Sequence, residues 1–357
     1  MKHYDVCIIG GGASGLAAAN RLSKDLKVCL LEKNKILGRK IMATGGGRCN
    51  ITNRDCRHKQ VVLDFFNGLG MELYCDEEGR YFPYSNKASD VVTMLTKGIK
   101  DRTVLTGVAV DKVSFDEGGF TVYSAKGNIR TRALVLAAGG KAAPEMGTVG
   151  DGYGFAKALG HSITRVYPML TPIECGDFQD IKGIRARGRV SLYKNSQMIA
   201  QELGEIQFTK DGISGICVFN ITPYIKADNS ETLREALEKF SIVLDLAPNF
   251  TEEDIEKRDS SFGILSEKLA AAVDVRRLKC WKLPILGVKG WKDAQCTGGG
   301  VPLGEINMET MESRIVKNLY VAGEMTDYQG PCGGYNLQNA WETGIKAATA
   351  INEKNEI

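Results

Sequence analysis

Tyr4-Asp-Val-Cys-Ile-Ile-Gly10-Gly-Gly-Ala-Ser-Gly15-Leu-Ala-Ala-Ala-Asn-Arg-Leu22 is the stretch on which the fold turns. A short apolar run, Tyr4–Ile9, enters a glycine turn. An Ala/Leu-rich helical segment follows to Leu22, and a second apolar run occupies Val28–Leu31. This is the pattern of one βαβ unit, and strands apolar almost throughout indicate a parallel sheet covered by helices on both faces. Gly10, Gly12 and Gly15 meet three demands of a dinucleotide fingerprint: a tight turn, close backbone approach to a diphosphate, and close packing of helix on strand. The diphosphate would sit at the helix N-terminus, where Ala13 and Ser14 open the first turn. Glu32, followed by Lys33, ends the next strand and can accept from ribose hydroxyls, which argues against a 2′-phosphate there.

Working outward, two later runs resemble the first strands: Ala133–Ala138 and Leu319–Ala322. The first returns to a turn of small residues, Ala138, Gly139 and Gly140. The second ends in Gly323 and Glu324, and the pair Gly333-Gly334 then leads into a helix that begins Tyr335-Asn336-Leu337. A late carboxylate that can hold a ribitol, followed by a helix N-terminus aimed at the pyrimidine oxygen of a flavin, selects FAD over NAD, because the helix dipole stabilises an anionic reduced ring. Gly38-Arg39-Lys40-Ile-Met-Ala-Thr44-Gly45-Gly46-Gly47-Arg48-Cys49-Asn50-Ile-Thr-Asn53 combines basic groups with exposed amides, which suits a diphosphate and the flavin edge.

Elsewhere the patterning changes. Val104–Arg132 reads as short alternating strands with turns at Glu117-Gly118-Gly119 and Lys126-Gly127, a meander that includes Val110. Short β-like segments broken by glycines fill Val166 to Ile225. Thr232–Phe240 places Leu233, Ala236, Leu237 and Phe240 on one helical face. Leu337, Ala340, Trp341, Gly344, Ile345 and Ala348 define an amphipathic C-terminal helix.

The 357 residues are 43% hydrophobic and 25% charged with formal charge +3, ordinary globular values that dictate no nucleic-acid partner. No run approaches the roughly 20 apolar residues that span a bilayer, and no signal-peptide layout opens the chain, so a cytoplasmic address is expected. Ten scattered cysteines are expected as free thiols. No pair has two-residue spacing, and with only three histidines no metal is expected.

The motifs Gly10–Gly15, Gly38–Asn53, Gly147-Thr-Val-Gly-Asp-Gly-Tyr153, Phe208-Thr-Lys-Asp-Gly-Ile-Ser-Gly215, Thr297-Gly-Gly-Gly-Val301, Thr310-Met-Glu-Ser313, Ala322-Gly-Glu324 and Gly333-Gly-Tyr-Asn-Leu-Gln338 resemble, in order and over nearly the whole chain, a bacterial flavoprotein family labelled aminoacetone-oxidase-like or BaiN-like. The resemblance implies an α/β fold: a Rossmann-like, glutathione-reductase-like FAD domain from 1–165 and 302–357, an inserted β-barrel-like domain from 166–226 and 280–301, and a small helical subdomain at 227–279. It adds Val110 to the expected FAD contacts. It also implies an FAD-dependent oxidoreductase, with three substrate classes associated with relatives: uracil in large-subunit ribosomal RNA reduced to dihydrouridine, amino ketones oxidised with peroxide production, and bile-acid intermediates reduced at a double bond. A flavin-stabilised RNA-binding factor without turnover is the non-catalytic alternative. There is no second glycine fingerprint, so NAD(P)H would visit the flavin directly. Reduction of a conjugated alkene needs a general acid, and Cys332, Tyr335 and Cys49 are the candidates. Arg185, Arg187 and Arg189 alternate along one strand, with Lys182 and Lys194 nearby, and would suit the phosphates of ribosomal RNA.

Overall fold

A computed structural model describes residues 1–226 and 232–355. The chain forms two compact units, one from Met1–Tyr167 with Cys296–Ile357 and one from Pro168–Gln295.

The first unit is built on β1 (Lys2–Ile9), α1 (Ala13–Arg21), β2 (Val28–Glu32), β3 (Thr103–Thr106), β4 (Ile129–Leu136), β5 (Leu319–Val321) and α2 (Tyr335–Asn355). β1 lies between β2 and β4, with Val6–Ile9 in parallel register against Val28–Leu31 on one side and Ala133–Leu136 on the other. β3 extends the parallel sheet beyond β2, and β5 pairs with β4 through Leu134–Leu136. Cys7, Ile8, Cys29, Leu30, Leu134 and Val135 are wholly buried, as strands sandwiched between helices require. The meander differs in detail from the sequence reading. Thr103–Thr106 belongs to the parallel sheet, while Val110–Asp116, Gly119–Ser124 and the first residues of β4 form the antiparallel ribbon. One strand thus serves both systems, its first half antiparallel and its second half parallel.

Two glycines let this sheet close on its helix. A Cβ at Gly10, whose φ is +111°, would stand 2.2 Å from the Ala137 carbonyl oxygen, and one at Gly15 would stand 1.9 Å from that of Gly10. A small antiparallel sheet of Thr52–Asn53, Arg80–Pro83 and Leu73–Cys75 completes the unit beside α2.

The second unit is a seven-stranded antiparallel sheet. Its edge strands Trp281–Pro284 and Gly287–Val288 are separated in sequence by Ile285 and Leu286 alone, so the sheet must curl until its edges approach each other. Phe178, Phe208 and Trp281 pack as an aromatic cluster inside. The helical reading of Thr232–Phe240 is corrected here: the helix spans Leu233–Leu237, started by a reciprocal Thr232–Glu235 capping box, and Phe240 begins the strand Phe240–Asp245. That strand lies within the stretch 227–279 expected to be helical. Phe240, Ile242 and Leu244 alternate inward, and pairing with Arg185–Lys194 on one side and Trp281–Pro284 on the other outweighs local helical periodicity. Residues 227–231 lie outside the described residues.

None of the ten cysteines is in a disulfide. No helix among the described residues is long and apolar enough to cross a membrane.

Candidate functional site

The site grows from the C-terminal ends of the parallel strands, where open α/β sheets bind ligands. At the mouth of α1 no side chain caps the helix, and a Cβ placed on Gly12 would meet nothing within 4 Å. Uncapped amides beside open space make an anion seat. A cleft adjoins it, lined among others by Gly10, Glu32, Lys33, Val110 and Ala138. Glu32 is already engaged: Gly11 N–H donates to Oε2 at 2.8 Å, and the Asn34 N–H and Nδ2 donate to Oε1 at 2.7 Å each. Oε2, which accepts only once, still has acceptor capacity for a ribose hydroxyl. Asn34, Thr148 and Asp151 share this cleft and were not singled out from sequence. Thr148 and Asp151 stand inside the Gly147–Tyr153 motif, whereas Asn34, two residues after Glu32, belongs to none. Asp151 pairs with Lys33 at 2.5 Å.

The loop beginning at Gly38 runs from this end to the other. Gly38 N–H donates to the Gly11 carbonyl, and Arg39 donates to Asn34 Oδ1 and to the Glu145 carbonyl. Lys40 reaches Glu324 at 2.7 Å. Burial pulls the Lys40 ammonium down, but Glu324, with the Cys296 thiol behind it, outweighs burial and leaves the net shift upward. Glu324 also accepts from the Thr297 and Gly140 N–H groups. The Thr297 hydroxyl accepts from Lys141 and Ala142, so Thr297 fastens the turn after Gly139-Gly140 to the strand end at Glu324. Thr297 stands inside the Thr297–Val301 motif, but its partners at Lys141, Ala142 and Glu324 come from distant segments of the chain.

Thr44–Gly47 form a tight turn in which Gly45 and Gly46 take left-handed backbone angles, and Asn50 packs against Gly45. Arg48 is exposed, with its guanidinium 4.3 Å above the Phe82 ring. Cys49 is fully buried in the core, and burial pushes its thiol up to about 12. That leaves it without access to a ligand, unlike the other two acid candidates.

At the far end, the segment after Cys49 is pinned to the start of α2. Asn53 Nδ2 donates to the Gly333 carbonyl, Thr52 Oγ1 lies 2.6 Å from Gln338 Oε1, and Trp341 Nε1 donates to the Ile51 carbonyl. Asn336 donates to the Gly330 and Pro331 carbonyls and accepts from Gly330 N–H, which fixes the turn carrying Cys332. Leu337 packs on the core. Cys332 and Tyr335 are half-buried. Burial raises both: for Cys332 the Gly333 amide and Arg80 offset it in part, and for Tyr335 Asp55 and Cys56 add to it. Gly323 N–H donates to Thr343, and its Cα faces Ser14, which joins β5, α1 and α2 at one point.

Arg185, Arg187 and Arg189 do lie on one face of the strand Arg185–Lys194, with Ala186, Gly188 and Val190 buried between them. The face is not purely basic. Arg185 pairs with Glu205 at 2.9 Å, and Glu205 and Asp245 stand opposite Arg187 and Arg189 in the neighbouring strands.

An uncapped helix mouth, a cleft lined by Glu32, a carboxylate–ammonium pair farther along, and a second helix N-terminus fit an extended diphosphate-linked flavin. A family model described as HI0933-like protein Rossmann domain matches residues 4–63 and 57–350. The chain is 32% identical to a 3-dehydro-bile acid delta(4,6)-reductase of Clostridium scindens over 410 residues, covering 97% of this chain and 98% of that protein. It is 27% identical to a ribosomal RNA dihydrouridine synthase of Escherichia coli over 399 residues, covering 98% of each. A flavocytochrome c3 fumarate reductase in its open conformation shares the fold, with a TM-score of 0.52 at 15% identity, over 99% of this chain and 78% of that one. With the family model matched over nearly its whole length, the chain belongs to the HI0933-like family and is an FAD-dependent oxidoreductase.

Proposed function

We propose that the enzyme uses FAD, reduced by NAD(P)H, to saturate a carbon–carbon double bond conjugated to a carbonyl, and that its substrate is uracil in large-subunit ribosomal RNA. The names of its relatives support the reaction: a delta(4,6)-reductase of a 3-dehydro bile acid and two dihydrouridine synthases all add two hydrogens across such a bond. Bound FAD would supply the hydride. The chain's own contribution is carried by one observation, a half-buried thiol at Cys332 on a pinned turn immediately before α2. Burial raises this thiol, so it holds its proton at neutral pH, as a general acid must before it protonates the carbon next to the carbonyl. The α2 N-terminus would aim its amides toward the ring of bound FAD, and Lys40 with Glu324 would hold the linker between the two ends of the cofactor. The arginine face of the second unit favours RNA, although interleaved carboxylates temper it.

Nucleoside mass spectrometry of ribosomal RNA from cells with and without the gene tests the substrate. We expect dihydrouridine to disappear in the deletion strain and to return with the wild-type gene. The Cys332→Ala form should restore it at a rate lower by about 10²-fold. Unchanged dihydrouridine removes RNA as the substrate. The bile-acid reductase similarity then favours the second reading, a steroid dienone, read as bleaching of its ultraviolet absorption by the reduced protein. A cytoplasmic location follows from the RNA reading.

A further inference from the structure

We propose that Arg80 is a substrate-binding residue whose guanidinium donates hydrogen bonds to the carbonyl oxygen conjugated with the reacting double bond. This rests on the reading of the site as a conjugated-alkene reductase. Arg80 lies outside every glycine motif and has no sequence signature of its own. Its placement comes from the small antiparallel sheet. Asn53 is directly opposite Arg80 in the pairing of Thr52–Asn53 with Arg80–Pro83, so both side chains leave the same face of that sheet. The Asn53 amide on that face holds the Gly333 carbonyl, one residue beyond Cys332. Phe82, two residues along from Arg80 and on the same face, is covered by Arg48 and contacts Gly45 of the glycine turn. Arg80 therefore stands between the proposed acid and the loop expected at the flavin edge.

The guanidinium is held rather than free to wander. Nε and one terminal nitrogen meet Asp76 Oδ2 at 2.8 and 2.7 Å, and the other terminal nitrogen meets Glu78 at 2.8 Å. Its side chain is 19% exposed. Asp76 fixes the plane of the fork, and part of the donor set stays unengaged for a ligand. Asp76 keeps its charge because the Arg80 hydrogen bonds outweigh the upward push of burial. Glu78 is 67% exposed, so it neutralises the cation weakly.

The chemistry calls for such a group. When hydride adds to the far carbon of the double bond, the π electrons move toward the carbonyl and negative charge collects on its oxygen. The double bond that remains between carbon and carbon is then protonated at the carbon beside the carbonyl by the Cys332 thiol, and the thiolate regains a proton from solvent. A preorganised cation at the oxygen is the interaction that strengthens as this charge develops.

The test uses the FAD-loaded full chain and the probe p-nitrophenolate, whose oxygen mimics the charged carbonyl oxygen, with binding read from its perturbed absorption. Arg80→Gln should weaken phenolate binding by about tenfold or more, as loss of a charge-assisted hydrogen bond implies. It should slow reoxidation of the reduced flavin by substrate to a similar degree. Reduction of the flavin by NAD(P)H and the visible spectrum should not change. Arg80→Lys should recover part of the loss. Asp76→Asn, which loosens the clamp but leaves the guanidinium, should fall between wild type and Arg80→Gln. Two results overturn the proposal: phenolate binding in Arg80→Gln equal to wild type, or equal losses in Arg80→Gln, Arg80→Lys and Asp76→Asn, which mark a purely structural clamp. Should the wild-type protein reduce neither uridine-containing RNA nor a dienone, the underlying reductase reading fails, and this proposal with it.

Discussion

Gly12 and Gly15 stand three positions apart and answer to different forces. Gly15 is a packing glycine, because a methyl there would overlap the Gly10 carbonyl. Gly12 has extended backbone angles open to any L residue, and open space in front of it. We therefore expect Gly15→Ala to cost roughly 2–3 kcal/mol of stability, measured by urea unfolding. Gly12→Ala should fold with near wild-type stability but lose FAD affinity by at least about tenfold, measured as bound flavin absorbance per chain. Buried Ser313 and His161, with half-buried Glu305, illustrate the opposite case, a catalytic-looking array used for structure. Ser313 Oγ accepts from the Ile315 and Val316 amides and lies 2.8 Å from His161 Nε2, while His161 Nδ1 lies 2.8 Å from Glu305. With its acceptor sites filled by amides, the hydroxyl donates to the ring, so no nucleophile faces solvent. Ser313→Ala should cost about 1–2 kcal/mol in thermal unfolding and leave flavin reduction by NAD(P)H unchanged.

Helix α2 ties the site together at the scale of the element. Its Gly344 lies against α1 so closely that a Cβ would stand 2.2 Å from the Ser14 carbonyl oxygen. Gly344→Leu should lower the melting temperature and also speed FAD release, because Ser14 belongs to the turn proposed to receive the diphosphate. Normal flavin retention in that variant would show that the two helices are not mechanically coupled. On another face, Glu342 joins His58, Lys346 and Gln338, with contacts of 2.7 to 3.0 Å. Burial pushes the Glu342 carboxyl up, but these three partners outweigh it and the net shift is downward. A folded-state value below the unfolded one gives stabilisation that is present above the ordinary glutamate range, near pH ~4.3, and is lost as pH falls through the lower folded value. Glu342→Gln should thus be less stable than wild type at neutral pH by on the order of 1 kcal/mol. The two unfolding curves should converge once pH falls below the lowered folded value, and a gap that persists in strong acid would rule out the charge as its source.

Across the whole molecule, the first unit is discontinuous in sequence, yet its internal ends meet: the Tyr167 ring lies where a Cβ on Gly298 would stand, 2.4 Å away. All residues assigned to FAD lie in this unit. Replacing 168–295 by a short Gly/Ser linker should therefore leave a chain that binds FAD, seen as flavin absorbance co-eluting with protein. Excess FAD at about a hundred times its dissociation constant should stabilise that chain by about 2.7 kcal/mol, read as a rise in melting temperature. A colourless, aggregated product would mean that the second unit is needed to fold the first.

The glycine turn, Glu32, the late Gly323-Glu324 and the helix after Gly334 were legible in the sequence because each is a local demand: a tight bend, a close approach or a helix terminus selects a residue type at a fixed spacing. Periodicity likewise placed β1, β2 and α2 within a few residues. Phe240–Asp245 was not legible, since a strand between two partners takes its stability from pairing that no single segment displays. Nor were Arg80, Thr297 and the burial of Cys49. Their environments are assembled from segments far apart in the chain, and only the closed fold decided which side chains share a low-dielectric site and which are sealed in the core.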